Sequence, residues 1–146
     1  MPTDEFVADD EDCVPSYGNA YAAGLDLRSA EEVILPYARP TRVRTGLRLA
    51  IPPGHVGLVR GRSGMAFKRG IWGFEGTIDE DYRGEINLLL MAMTPTLAGV
   101  TVIARGVRVA QLVIVPCVRL NGERVAALKC VEGGRGEAGF GSTGER

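Results

Sequence analysis

Thr41-Arg-Val-Arg-Thr-Gly-Leu-Arg-Leu-Ala-Ile51 decides the fold class. On an extended chain Val43, Thr45, Leu47, Leu49 and Ile51 fall on one face, and Arg42, Arg44, Arg48 and Ala50 on the other. Side chains alternate across a strand, so sustained period two marks a strand with one face in a core and one in water. A helix would scatter the same residues around its circumference. Pro52-Pro53-Gly54 then turns the chain.

Working outward, residues 55–60 and 100–103 are further strand candidates. Residues 86–93 and 109–118 are nearly continuous apolar runs, the pattern of strands buried on both faces. The first run is more apolar than one small sandwich requires, which points to burial between subunits. One helix is predicted over Ser63-Gly-Met-Ala-Phe-Lys-Arg-Gly70, with Ser63 as N-cap and Gly70 as terminator. Pro15, Pro36, Pro40, Pro95 and Pro116 punctuate the rest. Short strands joined by Gly/Pro turns predict an all-β sandwich, jelly roll or barrel with one short helix.

At 146 residues the chain fits one domain. A net charge of −1 gives no global field to recruit nucleic acid or an anionic membrane. A polyanionic ligand must therefore be held by locally placed cations. Asp4, Glu5, Asp9, Asp10, Glu11 and Asp12 crowd the N-terminus with no basic residue among them, the pattern of a solvated arm. Cys13, Cys117 and Cys130 show no Cys-x-x-Cys spacing and have only His55 for company, so reduced thiols in a cytoplasmic compartment are expected rather than a zinc site. The N-terminus is acidic, unlike a signal peptide, and the longest apolar stretch, 88–93, is too short to span a bilayer.

Five segments carry chemistry. Asp26 sits within the apolar stretch Ala23-Gly-Leu-Asp-Leu-Arg-Ser-Ala30, where an acid needs a hydrogen-bonding turn, a cation or a metal. Arg62, Ser63 and Gly64 open the helix, and a helix start with Arg and Ser suits either a phosphate or a plain cap. Gly76-Thr-Ile-Asp-Glu-Asp-Tyr-Arg-Gly84 is a turn between two β runs, and Ile78 and Tyr82 suggest that one acid of the triplet points inward as a base. Gln111 lies in an apolar strand, where its amide needs partners. The tail Gly134-Arg-Gly-Glu-Ala-Gly-Phe-Gly-Ser-Thr-Gly-Glu-Arg146 cannot build a core, but it can grip a nucleotide with Arg135, Phe140, Ser142 and Thr143. Gly134 and Gly139 each open a G-x-G-x-x-G match. The dinucleotide fingerprint also needs a following helix and an acid about 20 residues on, so that reading is set aside.

In this order the five segments resemble the motifs of the trimeric dUTPase family, from about Ala23 to Gly144. The resemblance implies a jelly-roll-like β-clip fold, assembled as a homotrimer with a C-terminal arm. Residues 1–16 would be an acidic arm, 17–132 the β domain and 133–146 a segment that closes over nucleotide. It further implies hydrolysis of dUTP to dUMP and pyrophosphate with Mg²⁺, in sites shared among three chains. That reaction keeps uracil out of DNA and supplies dUMP for thymidylate synthesis. Asp79 would be the base that activates water. The Tyr82 ring would lie beneath the deoxyribose. Backbone groups of a hairpin from Gly76 through Thr77 and Ile78 to Asn87 would read uracil. Arg62, Ser63, Gly64 and Gln111 would bind phosphates, and Asp26 would reach the metal through water. Arg135, Phe140, Gly141, Ser142 and Thr143 would close over the nucleotide.

The chain departs from the family pattern at Val107, Ala138 and Trp72-Gly73-Phe74-Glu75; the last segment is expected to reshape the outer wall of the uracil pocket. Three other readings stay open, the plainest being a β-sandwich binding module. A related dCTP deaminase would need a catalytic Glu, for which Glu75 and Glu85 are available. A regulatory dUTPase-like protein would use the acidic arm to hold a protein partner.

Overall fold

A nine-residue strand near the end of the chain, Arg108–Pro116, is the spine around which the molecule is built. The computed structural model describes residues 5–129 and 131–133. In chain order the strands are β1 (Phe6–Ala8), β2 (Ser16–Tyr17), β3 (Leu25–Arg28), β4 (Val33–Pro36), β5 (Thr41–Arg44), β6 (Leu47–Leu49), β7 (His55–Gly61), β8 (Ile71–Gly73), β9 (Gly76–Ile78), β10 (Asn87–Ala92), β11 (Val100–Ile103) and β12 (Arg108–Pro116). One helix, α1 (Ser63–Arg69), lies between β7 and β8, and a short 3₁₀ turn spans Glu11–Cys13.

The largest sheet has the order β2-β3-β12-β7-β9, so the spine is flanked by β3 and β7. The order β5-β10-β8 makes a second sheet, and β11-β4 and β1-β6 make two-stranded ones. Every strand pair is antiparallel. The core is aliphatic, with Leu27, Leu35, Val43, Leu47, Ile71, Ile86, Leu90, Ile103, Val109 and Leu112 fully enclosed.

The alternation over 41–51 holds face by face: Val43, Thr45, Leu47, Leu49 and Ile51 are all buried. It does not make one strand. The chain breaks at Thr45-Gly46 into β5 and β6, which join different sheets. Gly46 has φ +65°, and a Cβ there would lie 2.6 Å from Cys13 Sγ, so only glycine fits the corner. Thr45 Oγ1 donates to the Ile86 carbonyl at 2.6 Å and accepts from the Leu47 N–H at 3.2 Å, which satisfies the buried hydroxyl.

Three other sequence expectations are corrected. The helix cap is Arg62, without a side-chain capping bond, and Ser63 is already the first helical residue; Gly70 does terminate α1, in the left-handed conformation. The run 86–93 is buried on one face only. Leu88, Leu90 and Ala92 enter the core while Leu89 and Met93 stay about half exposed, beside exposed Trp72 on β8. The N-terminal acids are not free of basic partners either. β1 pairs with β6, Asp9 meets Arg44 and Arg48, and Asp10 and Asp12 meet Arg105. Arg105 is remote in sequence, and a local reading of charge does not see it.

Candidate active site

The register of the large sheet collects one group of candidates. Asp26 on β3 lies opposite Gln111 on β12, and Gln111 lies opposite Arg60 on β7. Arg62 and α1 follow directly from β7. The result is a pocket of about 330 Å³ lined by Arg62, Ser63, Gly64, Lys68, Arg108 and Gln111. A Cβ on Gly24 would meet Gln111 Oε1 at 2.9 Å, so the chain before β3 closes against that amide.

Asp26 is 7% exposed, and cations rather than a local turn account for its burial. Arg108 Nη1 donates to its Oδ2 at 3.1 Å, and Arg62 Nε lies 3.7 Å from Oδ1. Arg62 also donates to the Arg108 carbonyl at 3.3 Å, which locks the two arginines into one frame. The pocket therefore carries Arg62, Arg108 and Lys68 against a single carboxylate, a setting for a polyanion. The N–H groups that open α1 have no carbonyl one turn earlier in the helix and add donors to it. Lys68 and Arg108 were missed as pocket residues. Lys68 is readable as the i+4 neighbour of Gly64; Arg108 becomes visible only once β12 pairs with β3.

The second group gathers around the turn after β9. Thr77, Ile78, Asp79, Tyr82, Glu85 and Asn87 line a pocket of about 260 Å³. The Tyr82 N–H closes the turn on the Asp79 carbonyl at 3.1 Å, and Arg83 donates to the carbonyls of Glu80 and Tyr82. Glu80 fastens the turn from outside: it accepts the Gly54 N–H at 2.8 Å and pairs with Arg119 at 3.2 Å. The Gly54 hydrogen bond, with that of Arg119 next, holds the Glu80 carboxyl below its ordinary pKa. Within the acidic triplet, then, Glu80 is the anchored residue, while Asp79 is exposed and lines the pocket.

The turn does not join the arms of a paired hairpin. β9 pairs with β7, whereas β10 pairs with β5 and β8. Trp72 does not line this pocket. It lies in a third pocket of about 310 Å³ with Arg60, Arg62, Ser63 and Glu75, next to the cationic one. Glu75 is paired with Arg60, and Glu85 is tied to Arg44 and the Gly46 N–H, so neither glutamate is a free acid for a deaminase.

The two main pockets lie at opposite ends of the β7–β9 pair. Ile78 pairs with Gly57 and Gly76 with Val59, so Asp79 extends toward His55 while Arg62 follows from the far end of β7. At about 3.3 Å per strand residue, Asp79 is roughly 20 Å from Arg62. Arg135, Phe140, Gly141, Ser142, Thr143 and Cys130 lie outside the described residues. Cys13 and Cys117 are free thiols. Among the described residues no three metal-ligating side chains cluster, and no helix is long and apolar enough to cross a membrane.

Over residues 10–144 the sequence matches the dUTPase family. It is 47% identical over 135 residues to a deoxyuridine 5'-triphosphate nucleotidohydrolase of Anaeromyxobacter sp. (strain Fw109-5), covering 90% of this chain and 87% of that protein. A Rhizobium etli protein of the same name is 42% identical over 137 residues, covering 90% and 85%. Among solved structures, a glycine-to-serine mutant of the Staphylococcus bacteriophage 80alpha dUTPase with dUpNHpp superposes with a TM-score of 0.89 at 28% identity, covering 99% of both chains. An aspartate-to-asparagine mutant of a dUTPase from phage phi11 of S. aureus, with a structural Mg(II) ion, matches with a TM-score of 0.79 at 25% identity, covering 88% of this chain and 99% of that one.

Proposed function

We propose, from the premise that this chain belongs to the dUTPase family and hydrolyses dUTP to dUMP and pyrophosphate, a division of labour between its two main pockets. The observation that carries the reading is their separation. An acid roughly 20 Å from the cationic pocket cannot serve a phosphate held there, by strand geometry alone. Each pocket is then half of a site that a neighbouring copy completes, in a homotrimer. The exposed Leu89, Met93 and Trp72 give such a copy an apolar surface to cover.

In the assembled site Arg62, Ser63, Gly64 and Gln111 bind the triphosphate, helped by Lys68 and Arg108. Asp79 from the adjoining protomer accepts a proton from water. The water oxygen bonds to the α-phosphorus, the bond to the bridging oxygen breaks, and pyrophosphate leaves. The Tyr82 ring lies under the deoxyribose and leaves no room for a 2′-hydroxyl. Backbone N–H and C=O groups at Gly76, Thr77 and Ile78, with Asn87, match the donor and acceptors of the uracil edge. Arg135, Phe140, Gly141, Ser142 and Thr143 close over the nucleotide.

The residues fit a magnesium ion that arrives with the substrate. Both Asp26 oxygens face guanidinium groups, and a lone carboxylate cannot supply an octahedral set of oxygens, so triphosphate oxygens and water must provide most ligands. Asp26 would hold the ion through water. Bound Mg²⁺ neutralises charge on the phosphates.

The test is pyrophosphate release with Mg²⁺ from dUTP, dTTP, dCTP and UTP, in the wild type and in Asp79→Asn. The wild type should act on dUTP alone. The variant should bind dUTP but lose about 10²–10⁴ in turnover, the usual worth of a general base. Full turnover in Asp79→Asn refutes the assignment.

A further inference from the structure

The pocket of Asp79 and Tyr82 is braced from outside by charges that the reaction itself does not use. The Glu85 carbonyl accepts two hydrogen bonds from pocket residues, Tyr82 Oη at 2.9 Å and Asn87 Nδ2 at 3.0 Å. Its position therefore sets both side chains. Glu85 is in turn held by its carboxylate, which is 14% exposed. Oε1 accepts the Gly46 N–H at 2.8 Å, and Oε2 accepts Arg44 Nε at 3.1 Å. Arg44 stands directly opposite Asn87 in the β5–β10 pair. Its other end, Nη2, is taken by Asp9 Oδ2 at 2.9 Å, and Asp9 Oδ1 takes Arg48 Nη1 at 3.0 Å. The Asp9 N–H closes on the Gly46 carbonyl at 2.9 Å. The corner that only glycine can make thus joins the N-terminal segment to Glu85 from both sides of one residue.

We propose that Arg44, aimed by Asp9, is a positioning residue for nucleoside selection: through Glu85 it fixes Tyr82 and Asn87 against the sugar and base. The inference rests on the placement of deoxyribose over Tyr82. A planar guanidinium is required, because one fork must reach Glu85 through Nε and Asp9 through Nη2 at the same time. An ammonium is a compact point charge on a flexible stem and lacks that fixed fork, so it does not reproduce both contacts in one geometry. The acidic N-terminal segment then acts on the molecule's own pocket. The hydrogen bond from Arg48, and then the charges of Arg48 and Arg44, hold the Asp9 carboxyl below its ordinary pKa, so it stays ionised at neutral pH.

The experiment compares kcat and KM for dUTP and UTP in the wild type, Arg44→Met, Arg44→Lys, Asp9→Asn, Tyr82→Phe and Tyr82→Ala. Thermal midpoint and mass in solution are recorded for each. Arg44→Met should lower the preference for dUTP over UTP by about three- to tenfold, the scale of one hydrogen bond, with most of the change in KM. Arg44→Lys should not restore it. Asp9→Asn should show about a twofold effect in the same direction, because the pair is solvent-screened. Tyr82→Phe should match Arg44→Met, since it removes the same anchor from the other end. If Arg44→Met and Asp9→Asn lower the thermal midpoint while the preference stays at the wild-type value, Arg44 is only structural and the inference falls. If Tyr82→Ala itself leaves the preference unchanged, the sugar placement is wrong, a different failure from the first.

Discussion

Two inactive variants of this enzyme should make an active one. The first perturbation is Asp79→Asn, which disables the acid after β9. The second is Arg62→Ala, which disables the cationic pocket at the far end of β7. Each chain of a mixed population carries one lesion. If a site were built within a single chain, every site would contain a lesion and mixing would restore nothing. The strand register sets Asp79 roughly 20 Å from Arg62 of the same chain, and under the proposed division of labour they serve different sites. In a randomly assembled 1:1 trimer, a site draws its acid from one protomer and its phosphate pocket from another. The chance that both donors are intact is one half times one half, so about a quarter of all sites are restored, and in trimers that contain both variants one site of three in a symmetric ring. The two variants would be co-expressed with different tags, the doubly tagged trimers isolated, and pyrophosphate release from dUTP with Mg²⁺ compared with the wild type and with each parent. Activity near a third of the wild type in the doubly tagged trimers supports sites shared between chains. Activity no greater than the sum of the parents refutes the argument from strand register.

The remaining predictions concern the closing segment, the core and the turn. Truncation after Glu132 should leave a folded protein that binds dUTP nearly as well but turns it over far more slowly, as follows if the segment closes over the nucleotide as proposed and excludes water from the reacting phosphate; an unchanged rate by pyrophosphate assay would reduce the tail to a linker. Leu90 is 1% exposed in the middle of β10, between β5 and β8, so Leu90→Ala should cost about 2–5 kcal/mol in unfolding, measured by denaturant titration. Glu80 has a lowered folded-state pKa, so its contribution is present above the usual carboxylate value and is lost as pH falls through the folded value. The thermal midpoint of wild type should therefore fall more steeply than that of Glu80→Gln between about pH 5 and pH 3. Equal slopes would show that the Gly54 contact carries no pH-linked stability.

Local periodicity in the chain encodes a part of this architecture. Alternation over 41–51 named every buried residue on that face, and the segments at 62–64 and 76–87 supplied part of the lining of two pockets, without Lys68 and Arg108. Both signals live within a few residues, where side-chain direction follows directly from backbone geometry. The tertiary structure decided everything that depends on register between distant strands. Gly46 splits the alternating run because Cys13 packs against it, and the sequence pattern is the same with or without that corner. Asp26 is held by Arg62 and Arg108 because β12 runs beside both β3 and β7, and no spacing in the chain announces those partners. The acidic segment that read as solvated is bound by Arg44, Arg48 and Arg105, since charge partners are chosen by proximity in space. The two pockets stand apart for the same reason. β9 lies antiparallel on β7, which sends Asp79 and Arg62 to opposite ends of one strand pair.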